Sequence, residues 1–435
     1  MAMTRRGSRC RVGHALDFDR AAVAFSPASM SVPSSILALP QRTPELGALL
    51  ERWANINSGS DHAAGLARMR ETLRTEFARC FPAATIEEVA ADAPGFNPPG
   101  VRSLSIRMRP AAPKHVLLCG HYDTVYEATS PFQTCRWVDA KTMSGPGTGD
   151  MKGGIVTLLA ALQAFEQTAN AAQLGWEVLL TPDEEIGSHG SLELFRAAAR
   201  RNQFAFVFEP ARPSGDIVHS RKGTGVFTAI CHGRASHAAK VPNDGRNAVL
   251  ALAEFLLGVA KLPDELPGVL VSVANINGGS PVTNVVPHYA RADIDVRVTR
   301  MSDRDALLTR IHALAAAINA REGFRLELQG GFNRPPKECT PAEEAAYAAW
   351  QKAAADVGVP PFKWVHTGGA SDGNFLGEVG LPTLDGLGPI ADGLHSEREV
   401  CRVDTIAPRA QIAALFLHRV ASGEVALPPV PAARS

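Results

Sequence analysis

"WEVLLTPDEEIGSHGS", residues 176–191, runs a short apolar segment into three consecutive carboxylates, Asp183, Glu184 and Glu185, and then turns at Gly187. Such a run bounded by turn residues reads as a buried strand. Acids placed where the strand stops lie at a strand's carboxyl end, which is where open α/β sheets gather ligand-binding groups.

Working outward, strand and helix patterns alternate. "HVLLCGH" and "FAFVFE" read as further buried strands, and "PELGALLERWANI", "HAAGLARMRETLRTEFARCF", "GGIVTLLAALQAFEQ" and "SLELFRAAARR" have helical spacing. This alternation predicts a mainly parallel, helix-covered α/β sheet. From about residue 220 the texture changes to longer strands, "GVFTAICHG", "GVLVSVANI" and "YARADIDVRVT", with two helices, which suits a small α+β insert on an antiparallel sheet. After "NRPPKE" the first pattern returns, ending in the helix "VDTIAPRAQIAALFLHRVA". The expected organisation is a disordered extension over 1–41, a discontinuous outer domain over 42–219 and 332–425, and an insert over 220–331. Met30 offers an alternative start within the extension.

The 435 residues exceed what one hydrophobic core usually serves. Lys plus Arg and Asp plus Glu are both 44, so no net field favours nucleic acid or an anionic membrane, and the expected partner is a small-molecule substrate. Seven scattered cysteines without a CxxC pair argue against a disulfide framework or a thiolate zinc site. With neither a membrane-span pattern nor a signal-peptide core, the expected location is cytoplasmic.

Five features carry candidate chemistry. In "CGHYDTV" His121 and Asp123 stand two apart; alone, such a pair also fits an ordinary core or surface role. "SGPGTGDMKGG" surrounds Asp150 with five glycines. A phosphate cradle is its competitor, but Lys152 is followed by glycine rather than Ser or Thr, so the loop reads as presenting Asp150. In the opening stretch one acid can bind a metal while its neighbour serves as a base, the division of labour that metal-assisted hydrolysis needs. Glu209 ends the strand in "FVFEPAR", and His395 lies in the glycine-flanked "GLHSEREV".

Together "GHYDTV", "GPGTGDMKGG", "TPDEEIGS", "FEP", "GRASHAAKVPNDGRNAV" and "DGLHSE" resemble, in order, the di-zinc metallopeptidase superfamily of glutamate carboxypeptidase, aminoacylase, acetylornithine deacetylase and succinyl-diaminopimelate desuccinylase. The resemblance implies a zinc-peptidase-like fold whose insert is a lid and dimerisation domain. It implies that Asp150 bridges two zinc ions, with His121 and Glu209 completing one site and Glu185 and His395 the other. Cobalt or manganese could substitute. Glu184 matches the general base and Asp123 the outer carboxylate behind His121. His237, in dimeric relatives, corresponds to a histidine that reaches the partner's site and stabilises the oxyanion. A cis peptide is implied at Asp150–Met151.

Asn284 in "TNVVP", Arg297 in "DIDVRV", Arg334 in "NRPP" and Gly368 and Gly369 in "HTGGASDGNF" resemble the glutamate carboxypeptidase branch. Arg334 is expected to grip a substrate carboxylate through its guanidinium fork, with Asn284 and Arg297 supporting substrate and oxyanion. The two glycines are expected to allow close backbone approach. The implied activity is zinc-dependent release of a C-terminal, glutamate-like amino acid from N-acyl or peptide conjugates by a homodimer. An N-acyl amino acid deacylase of the acetylornithine type and a non-catalytic binding protein on the same fold stand as alternatives.

Overall fold

The computed structural model describes residues 31–431. Its largest sheet has eight strands in the order Thr85–Ala90, Arg102–Met108, Gly175–Thr181, His115–His121, Phe204–Val207, Thr383–Asp385, Ile217–Arg221 and Trp364–Thr367. His115–His121 runs parallel to both its neighbours, and Thr383–Asp385 runs parallel to Phe204–Val207. The first two strands are antiparallel additions. Every residue of Gly175–Thr181 is buried, as a strand covered on both faces requires.

The cover is helical. Gly153–Glu166 and Ile406–Ser422 are buried along almost their whole length and pack on each other; the first is apolar nearly all round, whereas the second also buries Arg409, Gln411, His418 and Arg419. A small antiparallel sheet, in the order Ala391–Asp392, Val400–Arg402, Thr142–Ser144 and Arg136–Trp137, joins the loop before Asp150 to the segment around His395.

The insert has its own core. Its antiparallel sheet runs Val269–Gly278, Tyr289–Val298, Gly223–His232 and Arg325–Arg334, with helices Ala248–Ala260 and Met301–Asn319 packed on it. Two expected boundaries move. Ile217–Arg221 belongs to the large sheet, and Arg325–Arg334 carries the insert's sheet past residue 331 because its pairing with Gly223–His232 continues to Arg334.

The expected disordered extension is also corrected at its end. Ser34–Leu37 is a helix followed by a 3₁₀ turn, Leu39–Arg42, and Ile36 and Leu39 are buried in the main core. The rest of that expectation, residues 1–30, lies outside the described residues. Among the described residues no helix is long and apolar enough to cross a membrane.

Candidate metal centre

His121, Asp150, Glu184, Glu185, Glu209 and His395 meet at the C-terminal ends of the central strands. His121 closes its strand, and its Nε2 lies 3.0 Å from Asp150 Oδ1 and 3.7 Å from Glu209 Oε1. The other Asp150 oxygen lies 3.2 Å from His395 Nε2, which is 3.1 Å from Glu185 Oε2. Asp150 thus stands between two histidines, each with a further carboxylate beside it. The donor atoms of His121, Asp150 and Glu185 fall within 4.8 Å of one another, as do those of His121, Glu184 and Glu209. The Asp150–Met151 peptide is cis.

The acidic turn is shaped by two further acids, Asp123 and Asp183. Asp123 Oδ1 lies 3.2 Å from His121 Nδ1. Its two oxygens also accept the backbone N–H groups of Glu184 and Glu185, each at 3.1 Å. The same carboxylate therefore orients the imidazole and caps the turn bearing the next two acids. Asp183 is buried and accepts from the N–H of Gly190 at 2.7 Å and from Asn97 Nδ2 at 3.0 Å. It folds the turn that presents its neighbours.

Burial and crowding set the charges. Burial pushes the Glu184 carboxyl up to about 7, against the pull of Arg334. Burial and the Asp150 charge push Glu185 up to about 8, and the same two causes raise Glu209. Hydrogen bonds to Asp150 and Glu185 carry His395 up to about 11. For His121 burial works against the charged ring, yet bonds to Asp123 and Asp150 carry it well upward. Three of the four carboxylates, Asp150, Glu185 and Glu209, thus have an imidazole as the positive partner beside them, while Glu184 has Arg334. Buried anions need a cation, and this oxygen-and-nitrogen donor set without thiolate fits divalent metal ions.

Arg334, at the end of its strand, is buried against the cluster. Its Nη2 donates to Glu184 Oε1 and to the Glu184 carbonyl, both at 2.8 Å, and Nη1 to Asp372 Oδ1 at 2.9 Å. Its guanidinium stacks 4.7 Å from the Phe375 ring centre. The fork expected to be open to substrate is occupied by two acids of its own chain.

Other expected residues lie elsewhere. His237 and Asn284 are exposed on the insert, with His237 Nε2 and Asn284 Nδ2 3.4 Å apart. Arg297 pairs with Asp295 on its own strand at 2.9 Å. Gly368 and Gly369 are exposed, and a Cβ on either would meet nothing within 4 Å, so crowding within this chain does not require glycine there.

Three groups escaped the sequence reading. Asp372 joins Arg334 to the hydroxyls of Thr181 and Ser188. Arg221 and Asp385 form a buried bidentate pair at 2.7 and 2.8 Å. Glu399, four residues after His395, is buried beneath the Asp150 loop. The acid following "LHSER" was the one available signal for it.

The family model for peptidase family M20/M25/M40 matches residues 117–419, a span that includes every member of the cluster. The chain belongs to peptidase family M20/M25/M40. It is 27% identical to carboxypeptidase G2 of Pseudomonas sp. (strain RS-16) over 89% of this chain and 92% of that one. It is 30% identical to succinyl-diaminopimelate desuccinylase of Acidovorax ebreus (strain TPSY), over 69% of this chain and 79% of that one. Its fold matches a dinuclear metal-binding M20 peptidase from Bacillus subtilis with a TM-score of 0.60 and 15% identity, over 87% of this chain and 99% of that one. This M20 chain is an enzyme of the metallopeptidase and amidohydrolase class.

Proposed function

We propose that this M20 chain is a dinuclear zinc amide hydrolase that releases a C-terminal, glutamate-like amino acid from N-acyl or peptide conjugates. The observation carrying the reading is the division among the acids. Asp150, Glu185 and Glu209 each lie beside a histidine, whereas a Glu184 oxygen is held by Arg334. Similarity to carboxypeptidase G2 over most of both chains supports the substrate class.

In this reading His121, Asp150 and Glu209 would hold one ion, and Asp150, Glu185 and His395 the other. Bound zinc supplies Lewis-acid polarisation of the scissile carbonyl and activates water at neutral pH. Glu184 takes a proton from the attacking water and passes it to the leaving amine; its raised pKa suits a group that must both accept and return a proton. Arg334 holds that carboxylate in place through its Nη2 contact.

His237 and Asn284 would act across a homodimer. Their exposure in one chain suits residues completed by a second subunit. The insert also shows an apolar face: Leu250 and Leu257, 67% and 65% exposed, lie two turns apart on the helix Ala248–Ala260. Exposed Leu270 and Ile276 lie on the sheet's edge strand, Val269–Gly278.

A second reading, an N-acyl amino acid deacylase, is favoured by the 30% identity to a desuccinylase. Glu184→Gln tests the chemistry common to both. The expected result is a loss of about 10²–10⁴-fold in kcat with metal content unchanged. Wild-type turnover by Glu184→Gln would falsify the role.

A further inference from the structure

The glycine-rich loop before Asp150 presents its backbone N–H groups inward, the arrangement that elsewhere cradles a phosphate. Here the chain supplies the anion itself. Glu399 Oε1 accepts from the N–H of Gly149 at 2.8 Å and of Asp150 at 3.1 Å, and Oε2 accepts from the N–H of Gly147 at 3.2 Å. The Tyr126 hydroxyl lies 2.7 Å from the same Oε2 and 2.8 Å from the carbonyl of Ser396, the residue after His395.

The glycines make this closure possible. Gly147 adopts φ +74°, and a Cβ at Gly149 would sit 2.6 Å from the Cβ of Ala391, on the segment that carries His395 and Glu399. Glu399 therefore grips the backbone of Asp150 from one side while Tyr126 ties that grip to the His395 loop on the other. Asp150 and His395, 3.2 Å apart, are held by one clasp.

We propose that Glu399, with Tyr126, is a positioning residue of the metal centre: its carboxylate fills the N–H nest of the glycine loop and fixes Asp150 relative to His395. The inference rests on reading the cluster as a metal site. It gives the five-glycine loop a purpose that needs no phosphate ligand.

The test is cobalt(II) titration of the full chain after chelator stripping, following affinity, stoichiometry and the visible absorption spectrum, for wild type, Glu399→Gln, Glu399→Asp and Tyr126→Phe. Glu399→Gln is expected to weaken cobalt binding about 10–100-fold and to shift the absorption bands, with Glu399→Asp recovering part of the loss. Tyr126→Phe keeps every charge, so weaker binding and a spectral change there report position rather than electrostatics; it carries the test alone if the Glu399 variants do not fold. Two ions bound with wild-type affinity and spectrum by folded Glu399→Gln and Tyr126→Phe overturn the inference while leaving the metal centre intact. A wild-type chain that takes up no cobalt overturns the metal-centre reading, and this inference with it.

Discussion

Arg334 sets Nη2 2.8 Å from the Glu184 carboxylate and Nη1 2.9 Å from Asp372, so one buried guanidinium separates the proposed base from a second acid. A lysine cannot span both carboxylates with that geometry. Arg334→Lys should fold, keep its metal and lose about 100-fold in kcat/KM, roughly 2.7 kcal/mol of transition-state stabilisation. Arg334→Ala leaves two buried acids without their cation and should cost about 3–5 kcal/mol of stability. Steady-state kinetics with thermal melts check both, and an Arg334→Lys enzyme of wild-type efficiency would remove Arg334 from the account.

Asp123 should act through the turn it caps. Asp123→Asn keeps one acceptor for the N–H groups of Glu184 and Glu185 but alters the partner of His121 Nδ1. The expected outcome is a fall of about 10–100-fold in metal affinity or activity, read by chelator competition alongside kcat. Unchanged values of both would show that the contact orients nothing.

The Arg221–Asp385 pair predicts an acid limit to stability. Burial alone would raise the Asp385 carboxyl, but the charge and hydrogen bonds of Arg221, helped by Ser371, hold it below the usual carboxylate range. A depressed folded pKa contributes stability that is fully present above the unfolded value of about 3.9 and is lost as pH falls through the folded value. Metal-stripped wild type should therefore lose melting temperature below about pH 4. Asp385→Asn should be less stable at pH 7 and show a flatter acid limb, and parallel curves for the two proteins would contradict the assignment.

On the insert, Leu250→Glu with Leu257→Glu should abolish self-association without unfolding the chain, since both side chains are exposed in the single subunit. Sedimentation velocity should show dimer for wild type and monomer for the double variant, with activity falling alongside. A wild type that sediments as monomer at assay concentration removes the cross-subunit role given to His237 and Asn284.

What the sequence disclosed follows from what pattern can carry. Buried parallel strands such as Gly175–Thr181 and the long helices are written in apolar periodicity, and the cluster acids stand where those runs stop. Thr85–Ala90 was missed because "TIEEVA" is a half-exposed antiparallel addition with charge inside it. Ile36 and Leu39 fall within the expected extension because a four-residue helix and a 3₁₀ turn have no period to read, although both residues pack into the main core. Glu399 escapes a reading of pattern because three of its partners are backbone N–H groups, which leave no trace in residue identity, and the fourth, Tyr126, is 273 residues away. Arg334 was placed at the site, yet its engagement with Glu184 and Asp372 depends on a contact across 150 and 38 residues that no local spacing encodes.

The most direct measurement is hydrolysis of a panel of N-acyl amino acids and dipeptides by the zinc-loaded chain, with a chelator-stripped sample beside it, reading released amine. The account predicts turnover only in the loaded sample, with one C-terminal residue, glutamate or a near relative, preferred across many acyl groups. Turnover governed by the acyl group across many amino acids would replace the carboxypeptidase reading with the deacylase one. Equal turnover in the stripped sample would contradict the metal centre itself.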